Sequence, residues 1–237
     1  MAESVPVQTV TLDLDGTLVE YNRSPAAVLA VAFEHVGVDP LFDVSAYYDR
    51  YETLVGEHTS MDALRRACFG ELADENGFSP ETGQAVAEAF AAERDHRNVT
   101  LLPGVADALD RLASEFRLAI ITNGMADAQR AKIEATSLDD WVETVVIAGA
   151  ETRPKPDPEP FERVLDSLDG SPESAVHIGD SLRTDIAGAD AAGLRSVWLS
   201  NDSVGPTETQ PTYQIPSVEN LFPLPWESER LNPGPTE

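Results

Sequence analysis

Residues 7–17 read VQTVTLDLDGT, an apolar run that ends in two aspartates and a glycine. Runs rich in Val and Thr are typical of buried parallel strands, so we predict a strand over residues 7–14. Asp13 and Asp15 are two residues apart, and in an extended chain their side chains point the same way. The stretch therefore predicts the first strand of a sheet, with a carboxylate pair at its carboxyl end.

Further apolar runs predict more parallel strands, at residues 117–122, 144–148, 175–178 and 196–199. Helical patterns separate the later strands, at residues 105–116, 157–168 and 185–192. The predicted helix starts are Pro103-Gly104, Asp157-Pro158 and Thr184, and Gly193 is predicted to end the third helix. This alternation predicts an α/β fold built on a parallel sheet.

The alternation is broken between the first strand and Leu101, where we predict helices and no strand. Predicted helix starts at Ser24, Ser60 and Ser79 indicate about four helices. We therefore predict a core of residues 1–19 and 100–219, with a helical subdomain of residues 20–99 inserted after the first strand. Residues 220–237 contain four prolines and are predicted to form a flexible tail.

Composition limits the possible partners. The chain has 42 Asp and Glu against 16 Lys and Arg, a formal charge of −26, which excludes a binder of nucleic acid and argues against anionic membranes. A single cysteine excludes a disulfide framework and a thiolate zinc cluster. Residues 1–4 lack signal-peptide features and the longest apolar run, residues 26–33, is too short to span a bilayer, so we expect a cytoplasmic protein. Abundant acids with only two lysines, Lys132 and Lys155, predict a cytoplasm of high salt, a halophilic setting.

Chemically useful residues follow the predicted strands, at the edge where ligands bind in an open parallel sheet. In chain order they are Asp13, Asp15, Thr122, Asn123, Lys155, Asp180 and Asp185. Oxygen ligands without His or Cys indicate a hard cation, and Mg²⁺ fits best.

These residue types suit phosphoryl transfer. A carboxylate can attack phosphorus, and a metal ion offsets the repulsion between two anions. Thr122 and Lys155 would stabilise the phosphoryl oxygens. Asp15 is placed to protonate the leaving oxygen and then to activate water.

The same motifs resemble those of the haloacid dehalogenase-like (HAD) hydrolase superfamily. Residues 13–18, DLDGTL, resemble its first signature; Thr122 matches the second, Lys155 in Lys-Pro-Asp-Pro the third, and Gly179-Asp180 through Asp185 the fourth. The order and spacing agree across residues 7–200. The resemblance implies a Rossmann-like core with a C1-type helical cap.

The resemblance also implies roles. Asp13 would be the nucleophile and Asp15 the acid and base. Mg²⁺ would be held by the Asp13 carboxylate, the Asp15 main-chain carbonyl and Asp180, while Asp185 would orient Lys155 and the water shell of the metal. Thr122, Asn123 and Lys155 would bind the substrate phosphate. Thr122-Asn123-Gly124 is similar to the phosphatase branch, whose substrates are small phosphorylated sugars or nucleotides.

Alternative functions remain open at this point. A 2-haloacid dehalogenase of the same fold would not need both Asp15 and Asp180, and the residues do not exclude a phosphosugar mutase. A non-catalytic phospho-signalling module would lack the helical insertion and the second aspartate pair. Asp185 could be only a first-turn helix acid. His177 and Cys68 are predicted to be core residues. The individual substrate and the oligomeric state are not predicted.

Overall fold

The computed structural model describes residues 5–58, 60–205 and 209–227. Its strands are β1 Thr9–Leu12, β2 Val19–Tyr21, β3 Val99–Leu101, β4 Arg117–Asn123, β5 Thr144–Ala148, β6 Ala175–Gly179, β7 Arg195–Leu199 and β8 Tyr213–Ile215. Its α-helices are α1 Pro25–Val36, α2 Val44–Leu54, α3 Met61–Glu75, α4 Pro80–Glu93, α5 Val105–Ala113, α6 Ala126–Thr136, α7 Glu159–Ser167 and α8 Ala187–Ala191. Among the described residues, no helix has both the length and the apolar content needed to cross a membrane.

The described chain divides into two compact units. The sheet unit contains the described residues up to Glu20, residues 101–124, and those from Thr136 onward; the helical unit contains residues 21–100 and 125–135. The sequence analysis placed all of residues 100–219 in the sheet unit. The structure instead places residues 125–135, which include most of α6, in the helical unit. α6 contacts the rest of the helical unit through the exposed Glu134–Arg97 ion pair, 2.9 Å long, and through Lys132, whose Nζ lies 4.9 Å from the centre of the Tyr21 ring.

The main sheet is parallel, in the order β5-β4-β1-β6-β7-β8. β1 lies at its centre, with Thr9 beside Arg117 of β4 on one side and Ala175 of β6 on the other. All four β1 residues are buried, which explains why the strand is a continuous apolar and threonine run. The predicted Rossmann-like parallel sheet is confirmed. The order reverses at β1, so the carboxyl ends of β1, β4 and β6 meet where such sheets bind ligands.

Helix boundaries in the sheet unit follow local chemistry. α5 lies within the predicted helix over residues 105–116, and its buried side chains are Val105, Ala108, Leu109 and Leu112. The predicted start at Thr184 is wrong, because Ser181 accepts the Thr184 N–H and a helical turn over Leu182–Ile186 precedes α8. A serine side chain can accept the free N–H groups of a first turn, and here it does so three residues earlier than predicted.

Three helices of the helical unit, α1, α3 and α4, begin where the sequence predicted. Ser24, Ser60 and Ser79 each accept the N–H of the residue three positions later. Four helices, α1 to α4, form within the described part of this insertion, together with the short strands β2 and β3, which pair as a second sheet and were not predicted. Cys68 is fully buried in the core of this unit, which confirms its prediction as a core residue.

The carboxyl-terminal prediction needs a correction. Leu221, Leu224 and Trp226 are buried, and the Trp226 ring lies edge-on to Phe116 with centres 6.0 Å apart. The described part of the expected tail, residues 220–227, is therefore packed, because its prolines are interspersed with apolar side chains. Residues 228–237 lie outside the described part of the chain.

Candidate active site

The sheet unit brings the predicted residues to one edge. Asp13 follows β1, and its N–H donates to Ile178 O at 2.9 Å, which extends the pairing with β6 by one residue. Thr122 and Asn123 end β4, and Asp180 follows β6. Because these three strands are neighbours, their terminal side chains converge.

Lys155 connects the acidic groups. Its Nζ donates to Asp13 Oδ1 at 2.7 Å, to Asp185 Oδ1 at 2.6 Å and to the Ile121 carbonyl at 2.7 Å. An ammonium has three N–H donors, so all of them are used. Burial alone would lower the pKa of Lys155, but Asp13 and Asp185 together raise it. The lysine therefore stays charged in the interior.

Asn123 holds the loop that carries Lys155. Its Nδ2 donates to Lys155 O at 2.9 Å, and its Oδ1 accepts the Lys155 N–H at 2.8 Å. The sequence predicted that Asn123 contacts phosphate; the structure gives its amide a positioning contact with Lys155.

Three carboxylates crowd together at this edge. Oxygens of Asp13, Asp180 and Asp185 lie within 4.8 Å of one another. Burial raises the pKa of Asp13, against the opposing effect of Lys155, and Asp185 raises it further. Partial desolvation of the Asp180 carboxyl and then the neighbouring Asp185 raise the pKa of Asp180 to about 6. Three carboxylates with oxygens this close fit a divalent cation with oxygen ligands, and such a cation would stabilise the charged forms of Asp13 and Asp180.

Asp185 is anchored more firmly than the other acids. Burial would raise its pKa, but Lys155 and His177 hold that pKa well below the usual range. Its second oxygen accepts the Ser181 N–H at 3.0 Å. Asp185 is 1% exposed, which excludes the simple surface role of a first-turn helix acid.

Two glycines make this crowding possible. A Cβ on Gly16 would lie 2.4 Å from Asp180 Oδ2, and Gly16 also has a φ of +79°. A Cβ on Gly179 would lie 2.5 Å from the Asp185 carboxyl group. Real contacts are never this short, so both positions require glycine for the carboxylates to approach.

Asp15 and Thr122 lie at the same edge. Asp15 is half-buried in the turn after β1, and its charge contributes to the raised pKa of Asp180. Thr122 is 1% exposed, and its hydroxyl is 3.4 Å from the Asn123 carbonyl oxygen. The structure thus brings all seven predicted site residues into one part of the sheet unit.

Sequence reasoning missed two supporting contacts. His177 is buried as predicted. It also contacts Asp185, because its Nε2 lies 3.5 Å from Asp185 Oδ1. Its other ring nitrogen, Nδ1, lies 2.8 Å from Thr11 Oγ1. The Trp198 indole N–H donates to the Asp180 carbonyl at 2.9 Å. The alignment of Gly179 with Trp198 across β6 and β7 creates this second contact, and no local sequence signal encodes it.

Comparison with known proteins identifies the same family as the sequence motifs. The family model for haloacid dehalogenase-like hydrolases matches residues 7–193. The chain is 30% identical to a phosphoserine phosphatase of Thermus thermophilus, over 91% of this chain and 98% of the relative. It is 35% identical to the human N-acylneuraminate-9-phosphatase, over 69% and 68% of the two chains.

Solved structures share the fold. The HAD-hydrolase YfnB of Bacillus subtilis, described as bound to magnesium, has a TM-score of 0.69 and 24% identity, and the match covers 92% of this chain and 98% of that one. A 2-haloacid dehalogenase of Pseudomonas syringae has a TM-score of 0.67 and 27% identity, with coverage of 95% and 100%. The fold alone therefore does not separate phosphatases from dehalogenases.

Proposed function

Because the chain belongs to the haloacid dehalogenase-like hydrolase family, we propose that it is a Mg²⁺-dependent phosphatase of small phosphorylated metabolites, with Asp13 as the nucleophile. The observation that carries this proposal is the position of Lys155, which contacts both Asp13 and Asp185 beside a third carboxylate, Asp180. A nucleophilic carboxylate beside a fixed cation suits attack on an anionic phosphoryl group.

The first step transfers the phosphoryl group to the protein. An oxygen of Asp13 attacks phosphorus and the bond to the leaving oxygen breaks, while Asp15 donates a proton to that oxygen. Thr122 and Lys155 stabilise the negative charge on the phosphoryl oxygens. The product alcohol leaves, and Asp13 carries an aspartyl phosphate.

The second step regenerates Asp13. Asp15, now deprotonated, removes a proton from water, and the water oxygen attacks phosphorus. The bond between Asp13 and phosphorus breaks and inorganic phosphate leaves. Asp15 ends the cycle protonated, as it began.

Mg²⁺ would be held by the Asp13 carboxylate, the Asp15 main-chain carbonyl and Asp180. It would offset the repulsion between the anionic nucleophile and the anionic substrate. The crowded carboxylates of Asp13, Asp180 and Asp185 support this part of the proposal, because without a cation their charges oppose one another.

The dehalogenase alternative is not favoured. Attack on a carbon–halogen bond does not need several acids around the nucleophile, yet three carboxylates meet at this site. Both curated relatives described above are named phosphatases. Their names also suggest the substrate classes to try first, namely phosphorylated amino acids and sugar phosphates, followed by nucleotides.

The proposal is tested by phosphate release from a panel of these metabolites with Mg²⁺, in molar KCl because of the acidic composition. Asp13→Asn should abolish release, whereas Asp166→Asn, at an exposed position of α7, should not. A parallel assay measures halide release from 2-haloacids in the presence of a chelator. Halide release without phosphatase activity would overturn the proposal.

A further inference from the structure

Two buried basic side chains and a half-buried one lie close together in the helical unit. Arg65 of α3 and Lys132 of α6 are 3% and 4% exposed, and Arg94 follows α4. The Arg94 Cζ lies 3.5 Å, and the Lys132 Nζ 4.9 Å, from the centre of the Tyr21 ring. The Cζ atoms of Arg65 and Arg94 lie 5.2 and 6.0 Å from the centre of the Phe90 ring. Composition does not explain this cluster, because basic residues are few in this chain.

Two of these side chains have buried donors without acceptors. Arg65 Nε and Arg94 Nη1 make no hydrogen bond within the described part of the chain. The ion pair of Arg65 is long, at 3.4 Å, and its partner Asp62 is 78% exposed. Aromatic faces attract a guanidinium, but they leave the N–H groups at its edge unpaired, and buried unpaired donors are destabilising.

The acids near this cluster are engaged elsewhere. Glu93 pairs with Arg23 at 2.8 Å, and Glu134 pairs with Arg97 at 2.9 Å. Asp127 accepts a backbone N–H in the first turn of α6 at 2.9 Å. The chain has 42 acidic residues, yet none in its described part supplies a carboxylate to the unpaired donors of Arg65 and Arg94. An anion from outside the chain would accept hydrogen bonds from the unpaired donors of Arg65 and Arg94.

The pKa of His96 depends on the positive charge of this cluster. Its Nδ1 lies 2.7 Å from the Tyr21 hydroxyl. Burial lowers the pKa of His96 to about 4, and Lys132, Arg65 and Arg94 contribute to the lowering. The imidazole is therefore neutral at neutral pH and close enough to sense a change in the charge of the cluster.

We propose that Arg65, Arg94 and Lys132 form an oxyanion-binding subsite in the helical unit, which takes a carboxylate or a phosphate group. Guanidinium groups bind both anions through paired N–H donors. The proposed phosphatase reaction assigns the transferred phosphoryl group to residues of the sheet unit, so this subsite holds a second anionic group. That group belongs either to the substrate or to a separate small anion.

Binding is measured by NMR, with inorganic phosphate and malonate as probes. The titrations use chelator-treated protein and constant ionic strength, with KCl as the balancing salt. We expect saturable shifts of the Arg65 Nε–H signal and a rise of about one unit in the pKa of His96. Arg94→Gln should weaken binding about ten-fold or more. Arg66→Gln removes an exposed partner of Glu88 in the same unit and should leave binding unchanged.

Two further measurements make the test decisive. Malonate, which is not a product of the proposed phosphatase reaction, should raise the melting temperature of the wild type and of Arg66→Gln but not that of Arg94→Gln, whose fold is checked by circular dichroism. Unshifted signals, or equal affinity in wild type and Arg94→Gln, would overturn the subsite. None of these measurements requires turnover, so the subsite and the phosphatase proposal fail separately.

Kinetics on the metabolite panel distinguishes the two sources of the anion. If the anion belongs to the substrate, Arg94→Gln should raise KM for substrates with a carboxylate or second phosphate and not for the others. If it is a separate anion, malonate should alter turnover of substrates with no second anionic group, and Arg94→Gln should remove that effect. Each result supports the subsite and identifies its ligand.

Discussion

Asn123 and Lys155 are joined by two hydrogen bonds, of 2.9 and 2.8 Å, between the asparagine amide and the lysine backbone. The contact links the end of β4 to the loop before α7. The lysine backbone is thereby fixed next to the strand whose residue Ile121 accepts from the lysine side chain. From these contacts we infer that Asn123 acts through Lys155, as a positioning residue.

Asn123→Ala should lower kcat about ten-fold or more while KM changes less. Each lost hydrogen bond removes about 0.5–1.5 kcal/mol, and about 1.4 kcal/mol corresponds to ten-fold in rate. Steady-state kinetics with Asn201→Ala, at an exposed position of the sheet unit, as the control measures the effect. A change confined to KM would instead assign Asn123 to phosphate binding.

Lys155→Met should destabilise the protein as well as inactivate it. The substitution leaves Asp13 and Asp185 buried without their cation, and breaking a buried ion pair in this way costs about 3–5 kcal/mol. Urea unfolding in the presence of a chelator measures this loss. Adding Asp185→Asn to the same chain should recover part of the stability, and a Lys155→Met variant as stable as the wild type would contradict the expectation.

Asp15→Asn should separate the two chemical steps. An aryl leaving group departs without a proton, so phosphate should accumulate on Asp13 and appear as added mass in rapidly quenched samples. With alkyl phosphates both steps need Asp15, and turnover should fall by roughly 10²–10⁴-fold. The double variant with Asp13→Asn is the control and should gain no mass. Normal hydrolysis of alkyl phosphates by Asp15→Asn would remove Asp15 from the acid and base role.

The sequence predicted the sheet unit best where apolar runs are continuous. β4, β5, β6 and β7 lie within one residue of their predicted bounds. β2, β3 and β8 have three residues each, too few to show a period. α6 was missed because its buried face includes Gln129 and Lys132, polar residues that hide the apolar pattern.

The candidate site was predictable because several of its residues lie at the ends of these continuous apolar runs. Asp13 follows β1, Thr122 and Asn123 end β4, and Asp180 follows β6, so polar side chains interrupt apolar runs at these strand ends. The contacts of His177 with Asp185 and of Trp198 with Asp180 could not be predicted, because they depend on how β6 packs against the helical turn Leu182–Ile186 and on how β6 and β7 align. Long-range register is a property of the folded chain and has no local signal.

His96 should make stability depend on pH between about 4 and its ordinary value of 6.5. The folded protein resists protonation of His96, mainly because the side chain is buried and then because of Lys132, Arg65 and Arg94, while Asp127 favours protonation. In this range the unfolded chain binds the extra proton, so the contribution of His96 to stability is lost as pH falls.

The measurement is urea unfolding of wild type and His96→Gln at several pH values in buffers without phosphate or carboxylate. The wild type should lose only about 1–2 kcal/mol relative to His96→Gln from pH 7 to pH 4.5, because the partly exposed imidazole keeps some of its hydration when it is protonated. His35→Gln, at an exposed position of α1, is the control. Parallel pH profiles for wild type and His96→Gln would contradict the expectation.

Cys68 should be unreactive in the native protein. Burial raises the pKa of its thiol to about 11, so the thiolate is scarce and inaccessible at pH 8. A thiol reagent followed by absorbance should react fully in urea and only slowly without it. Rapid reaction of the folded protein would mean that the helical unit opens readily around α3.

β1 precedes both of its sheet neighbours in the chain, so it is synthesised before either of them. β1 emerges from the ribosome first, but its neighbours β4 and β6 follow only after residues 117 and 175 have been added. Until then both edges of this strand carry free N–H and C=O groups, while α1 to α4 have already been made. Nascent chains that stop before β4 are therefore the species most open to edge-to-edge aggregation, and the repulsion between their many acidic side chains opposes it.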